Sequence, residues 1–169
     1  PLPFVDFLHT YTPQRPVSSV DHGVSYKPIL MPTDKSSIVI LDHSKHPRNN
    51  GDIENSYKLE MLNPSCGDKI TVSMKIENNV ITDIKFTGTG CSISLASASM
   101  LTEELKGLSV QKANEKIHDF LNMIMGTEFN EENLEDSIAL QNISQLPARV
   151  KCATLAWKIT EKILEDNKK

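Results

Sequence analysis

The chain has little cysteine, with Cys66, Cys91 and Cys152 the only three in 169 residues. So few, and an odd number, argue against a disulfide framework and leave reduced thiols as the expectation. Long apolar runs are also lacking: nothing approaches the ~20 residues that a membrane span needs. No stretch shows the charged, apolar and small-residue succession of a secretory signal. An excess of positive charge is missing too, since the formal net charge is -4 and the Lys and Arg residues are scattered. Without a basic stripe there is no electrostatic footprint for nucleic acid. What remains is a soluble, cytoplasmic protein, long enough for one domain with a real core and hardly long enough for two.

Proline is unevenly spread, with six of the nine in the first 32 residues, a stretch that has no sustained apolar period. Residues 1–37 are therefore expected to form an extended, loosely ordered arm, and residues 38–169 the domain. The segment "SSIVILDHSKHPRNNG" opens the domain with serines able to cap a short helix, then an apolar run, and Pro47 and Gly51 to stop it.

Period-2 alternation follows. "YKLEM" sets Tyr57, Leu59 and Met61 on one face, and "KITVSMKIE" sets Ile70, Val72, Met74 and Ile76 inward against Thr71, Ser73 and Lys75 outward. Asn78-Asn79 supplies a two-residue hairpin loop, and "VITDIKF" returns with Val80, Ile84 and Phe86. Beyond "GTGC" the period becomes helical. One helix carries Ile93, Ser97, Met100, Leu101 and Glu104 on one side and stops at Gly107. A second, from near Ser109 to Gly126, buries Ala113, Ile117, Phe120, Leu121 and Ile124. An acidic insert, "TEFNEENLED", precedes a short "SIALQNI" segment. The last helix opens at Pro147 with Cys152, Leu155, Ala156, Ile159 and Ile163 along one face. Strands followed by helices predict an α+β fold, a three-stranded antiparallel sheet with helices packed on one face.

The stretch "NPSCGDKI" places Cys66 and Asp68 on either side of a residue without a side chain. A turn there can aim thiolate and carboxylate at one point, as a small tetrahedral metal site requires, although Gly-Asp before a strand is also ordinary turn chemistry. Cys91 sits at an expected helix N-terminus, where the dipole favours a thiolate. Cys152 falls in the first turns of the last helix. Three sulfurs and one oxygen would suit Zn²⁺; the competing reading is three small apolar fillers, since free cysteine is commonly buried.

Three motifs in order, "NPSCGDKI", "GTGCSISLASASMLTEELKG" and "LPARVKCATLAWK", resemble the SufU branch of the IscU/NifU-like iron-sulfur assembly proteins, and "LDHSKHPRNNG" resembles the end of that family's first helix. The likeness runs from about Ile38 to Lys162. The long gap between Cys91 and Cys152 leaves room for the insert that SufU proteins carry, and Lys151 stands where IscU scaffolds have a histidine ligand. The resemblance implies that Cys66, Asp68, Cys91 and Cys152 hold Zn²⁺ and that a cysteine desulfurase of the SufS type donates persulfide sulfur for iron-sulfur cluster assembly. It implies Cys66 as the acceptor, on a loop between Pro64 and Gly67 whose thiolate can leave a metal at least structural cost. Cys91 is the rival, as the thiolate favoured by a helix N-terminus. The alternative function is an IscU-type scaffold that assembles a [2Fe–2S] cluster on the same thiols, with iron or the cluster in place of zinc. Iron-sulfur assembly scaffold proteins are the implied downstream partners.

Arg149, three residues before Cys152, is expected to bring its guanidinium near the site, pairing with Asp68 or a thiolate. Lys151 reads as a surface residue. His43 and His46 read as capping and surface contacts near a helix end, Asp42 and His43 as the family's "DH", structural or partner-facing. His118 is expected on an exposed helix face. Ser92, Ser94, Ser97 and Ser99 read as small-residue packing, since no histidine stands near them in sequence. Asn130, Glu131, Glu132 and Glu135 read as a solvated acidic loop. The departure from the family is at the front, where "LMPTDKSSIVILDH" offers Pro32 and Asp34 in place of a Leu-Tyr segment, so that the first helix is expected to shorten to about Ser37 to Lys45.

Overall fold

The computed structural model describes residues 35–169. Most of the expected arm, residues 1–34, lies outside the described residues. Helix α1 spans Lys35–Lys45, so Ser36 and Ser37 lie within its first turn rather than ahead of it. Three strands follow, β1 (Tyr57–Asn63), β2 (Asp68–Glu77) and β3 (Val80–Thr89), paired antiparallel in the order β1-β2-β3. Helices α2 (Ser92–Leu105) and α3 (Val110–Met125) come next, then 3-10 turns at Glu131–Asn133 and Asp136–Gln145, and finally α4 (Pro147–Asp166). The fold is the α+β arrangement expected. No helix among the described residues is long and apolar enough to cross a membrane.

Each boundary has a local cause. Asn78 and Asn79 both take positive φ, 50° and 66°, the twist a two-residue hairpin between right-handed strands demands. Ser109 caps α3 by accepting from the Lys112 N–H, and Gly126 ends it in the left-handed conformation. Pro147 takes the first turn of α4, where its missing N–H costs nothing.

The inner face of the sheet is apolar, with Ile70, Val72 and Met74 of β2 fully buried; α4 packs on β1 and β2, and α2 on β3. Phe120 of α3 and Trp157 of α4 stack face to face, ring centres 3.9 Å apart and planes 9° from parallel. The indole N–H donates to Ser97 Oγ, which in turn donates to the Ala153 carbonyl, so the one polar atom of the ring pair is satisfied inside the core.

Strict alternation fails at three places. Ile81, rather than Val80, is the fully buried residue at the start of β3, because the register slips between Lys75 and Ile76 and leaves one extra residue on β3. A bulge of this kind turns both Ile81 and Ile84 to the core. Tyr57, on one face with Leu59 and Met61, is 46% exposed at the start of the edge strand while those two are half-buried. Ser73 is buried although its face was expected to be wet. Its hydroxyl donates to Asp52 Oδ1 at 2.6 Å, and Lys58 donates to the other oxygen at 2.7 Å, so the segment before β1 covers this part of the outer face.

The hydrogen bonds from Lys58 and then Ser73 hold the Asp52 carboxyl down at about 2, below its ordinary 3.8. A carboxyl lowered on folding contributes stability above its unfolded value and loses it as pH falls toward the folded one. Asp52→Asn is therefore expected to be less stable than wild type at neutral pH in urea denaturation, with the gap narrowing from pH 4 downward. A gap constant with pH would show that Asp52 acts only through its shape.

The segment between α3 and α4 is built, not loose. Asn130 caps the first 3-10 turn, while Asp119 accepts from the Asn130 N–H and the Asn133 amide. Glu131 and Glu132 are exposed, as expected of a solvated loop. Glu135, Asp136 and Ser137 are each held by a different helix. Lys116 of α3 reaches Glu135 at 2.7 Å, His43 of α1 reaches Asp136 at 3.0 Å, and Glu104 of α2 accepts from the Ser137 N–H and hydroxyl. Burial pushes the Glu104 carboxyl up, against those hydrogen bonds and the nearby Lys116 charge.

His43 is thus a buried residue, 1% exposed, rather than a surface one. Its other nitrogen meets Ser99 Oγ at 2.8 Å, and that oxygen accepts from the Arg48 N–H. The fold therefore gives Ser99 a histidine neighbour that chain distance concealed, but Ser99 is fully buried and has no route to a substrate. His46 and His118 are exposed, and Asp42 pairs with Arg48.

Candidate metal centre

The β1–β2 hairpin places the first two residues. Asn63 and Asp68 face each other as the last pair of the ladder, and the loop between them carries Cys66. The loop is tied to Asn63: its backbone carbonyl accepts from the Cys66 and Gly67 N–H groups, and its side-chain Oδ1 accepts from the Ser65 N–H. Gly67 closes the turn at φ 76°, a conformation that costs glycine nothing. Cys66 is exposed at the tip.

Cys91 stands at the N-cap of α2 with no side-chain cap of its own. The cap comes from another element. Asp68, buried at the start of β2, accepts from the Cys91 N–H at 3.0 Å and from the Ser94 hydroxyl at 2.7 Å. A carboxylate at a helix N-terminus meets unpaired N–H groups and the positive end of the dipole. Burial pushes the Asp68 carboxyl up, but the hydrogen bonds from Ser94, Cys152, Cys91 and Asn63 outweigh it and leave the group below its ordinary value.

Cys152, buried on the first turns of α4, completes the cluster with its Sγ 3.2 Å from that of Cys66. One ligand atom each from Cys66, Asp68 and Cys152 lie within 4.8 Å of one another. Burial, then contact with Asp68, Cys66 and Cys91, drives the Cys152 thiol far up. A bound cation would favour the ionised form of this thiol. Cys91 is outside the tight group; its Sγ is 3.6 Å from Ser94 Oγ, and it borders Cys152.

Arg149 is exposed on the first turn of α4. Cys152, then Cys91 and Cys66, raise its already high pKa. Of its expected partners, Asp68 or a thiolate, the thiols are the groups that act on its charge. Lys151 points to solvent.

Sequence reasoning missed three supporting positions. Ser94 was read as packing, yet it orients Asp68. Gly90 has no room for a side chain, since a Cβ there would lie 2.8 Å from Asp68 Oδ1 and 3.2 Å from its Cβ. Asn63 closes the site from below, with Nδ2 3.5 Å from Asp68 Oδ2 and 3.7 Å from Cys152 Sγ. The available signal for Asn63 was an Asx-turn residue at the end of an alternating strand.

With this geometry in place, the relatives are informative. Residues 35–153 match the NifU-like N-terminal domain family. The chain is 47% identical over 125 residues to the zinc-dependent sulfurtransferase SufU of Bacillus subtilis, covering 73% of this chain and 85% of that protein. It is also 38% identical over 130 residues to the iron-sulfur cluster assembly scaffold protein IscU of Thermotoga maritima, covering 76% and 92%. Among solved structures, the putative iron-sulfur cluster assembly scaffold protein for the SUF system of Fervidobacterium islandicum superposes with a TM-score of 0.72 at 39% identity, covering 75% of this chain and 93% of that one. Sequence match, fold and the order of the cysteine motifs agree: the chain belongs to the NifU-like N-terminal domain family, alongside the SufU and IscU proteins.

Proposed function

We propose that this protein is a zinc-dependent sulfur carrier, a sulfurtransferase that accepts persulfide sulfur from a cysteine desulfurase of the SufS type and passes it toward iron-sulfur cluster assembly. The observation that carries this reading is the meeting of Cys66, Asp68 and Cys152 with Cys91 beside them, in a chain 47% identical to a zinc-dependent sulfurtransferase. Two thiols and a carboxylate converging, with a third thiol adjacent, form a donor set suited to Zn²⁺. Zinc, when bound, holds thiols as thiolates at neutral pH and adds no redox chemistry of its own.

The residues then divide the work. Cys91 and Cys152 are set on helices, and Cys152 is buried, so they serve as fixed ligands. Cys66 lies exposed on a loop and is the thiolate that can reach a partner. In the transfer, the Cys66 thiolate attacks the terminal sulfur of the donor's persulfide. The donor's S–S bond breaks, a new S–S bond forms on Cys66, and the donor leaves as a thiolate. Arg149, an exposed cation on which the thiols act, favours the Cys66 thiolate before the attack.

A second reading, an IscU-type scaffold for a [2Fe–2S] cluster, is supported by the IscU relatives and by the same thiolate ligands. Lys151 opposes it: the position before Cys152 offers an exposed ammonium, not an imidazole ligand. Metal analysis of the purified chain separates the two. A colourless protein with one zinc per chain is expected; iron with inorganic sulfide in a brown protein would transfer the argument to the scaffold.

A further inference from the structure

Asn63 touches every part of the candidate centre that comes from the β1–β2 hairpin and α4, yet it offers no metal ligand. Its side chain is 3% exposed, at the last ladder pair before the loop. The orientation of the carboxamide is fixed by the Ser65 N–H, 3.2 Å from Oδ1, because a donor there requires an acceptor opposite. That leaves the NH₂ group facing inward, 3.5 Å from Asp68 Oδ2 and 3.7 Å from Cys152 Sγ, the second an ordinary distance for a sulfur acceptor. The same residue's backbone carbonyl takes the Cys66 and Gly67 N–H groups. Three consecutive loop N–H groups therefore end on one residue, whose two remaining hydrogens address two candidate ligands on other elements.

Resting on the metal-site reading above, we infer that Asn63 is a positioning residue of the centre. Its NH₂ group donates to the ligands Cys152 and Asp68 in their charged forms, while its two oxygens hold the Cys66 loop in register. Donors to charged ligands orient them and stabilise their ligating state, and partners of this kind are commonly worth about 10–100-fold in metal affinity. Asparagine suits the place because it alone of the small side chains both accepts in an Asx turn and donates across the site. Aspartate would keep the turn and place an oxygen where the donor stood.

The test is competition for Zn²⁺ between the full-length protein and a chromogenic chelator, for wild type, Asn63→Asp and Asn63→Ser, with thermal melts of the metal-free forms. Asn63→Asp retains the acceptor for the Ser65 N–H but sets an oxygen against Asp68 and Cys152; a loss of at least about tenfold in zinc affinity is expected. Asn63→Ser retains a short turn acceptor, adds no charge and has no donor within reach, and is expected to lose affinity by a smaller factor. Should Asn63→Asp not fold, Asn63→Ser alone decides. Folded variants that bind zinc within twofold of wild type overturn the inference, as does a loss matched by an equal destabilisation of the metal-free protein. Wild type that takes up no zinc overturns the metal-site reading itself, an outcome distinct from variants that bind as wild type does.

Discussion

Cys66→Ala is expected to leave a cysteine desulfurase turning over at its unassisted rate, while wild type is expected to stimulate it. The loss is expected because Cys66 is the exposed thiol of the three, while Cys152 is 1% exposed and Cys91 is half-buried at the start of α2. The fold should survive the change. Cys66 is exposed, its N–H bond to Asn63 is made by the backbone, and alanine keeps that bond. A melting temperature of the metal-free variant near that of metal-free wild type, beside absent stimulation, separates chemistry from stability. Cys152→Ala provides the contrast, since it removes a buried sulfur from the core as well as a ligand and should lower both. Stimulation by Cys66→Ala equal to wild type would remove Cys66 from the centre of the account.

Gly90→Ala carries the second large effect, in zinc binding rather than turnover. The backbone at Gly90 is not in a left-handed conformation, so the cost is purely steric. The added methyl would press on the Oδ1, carboxyl carbon and Cβ of Asp68, all within 3.2 Å. Asp68 is a short side chain whose Cβ cannot retreat without the β2 backbone. Its carboxylate must rotate away from the Cys91 N–H and the Ser94 hydroxyl, taking a candidate ligand and the cap of α2 together. Zinc affinity by chelator competition should fall by on the order of tenfold or more, with a modest drop in thermal stability. Affinity unchanged from wild type would mean that Asp68 does not need its observed orientation to serve the metal.

Much of the framework is legible in local chemistry. Asn78-Asn79, Ser109, Gly126 and Pro147 act through their own backbone preferences, and each marks a boundary where it was expected. The inward row Ile70, Val72 and Met74 follows from alternation alone. The placement of Cys66 on a loop, Cys91 at a helix start and Cys152 early in the last helix follows likewise. The misses concern residues whose partners are remote in the chain. Ser73 depends on Asp52, and His43 on Ser99 and Asp136, contacts formed only when separate elements close. The bulge on β3 has no composition signal, because Val80 and Ile81 are equally suited to either face. Serines illustrate the limit best. Ser94, Ser97 and Ser99 read identically in the sequence, yet one orients Asp68, one satisfies Trp157 and one binds His43.

The central claim is that sulfur passes onto Cys66, and peptide mass mapping after turnover tests it most directly. The protein is incubated with a cysteine desulfurase and cysteine, trapped by alkylation without reductant, and digested. The account predicts one added sulfur on the peptide carrying Cys66 and none on those carrying Cys91 or Cys152. Added sulfur on Cys91 or Cys152 with Cys66 unmodified, or on none of the three while the desulfurase is stimulated, would contradict it.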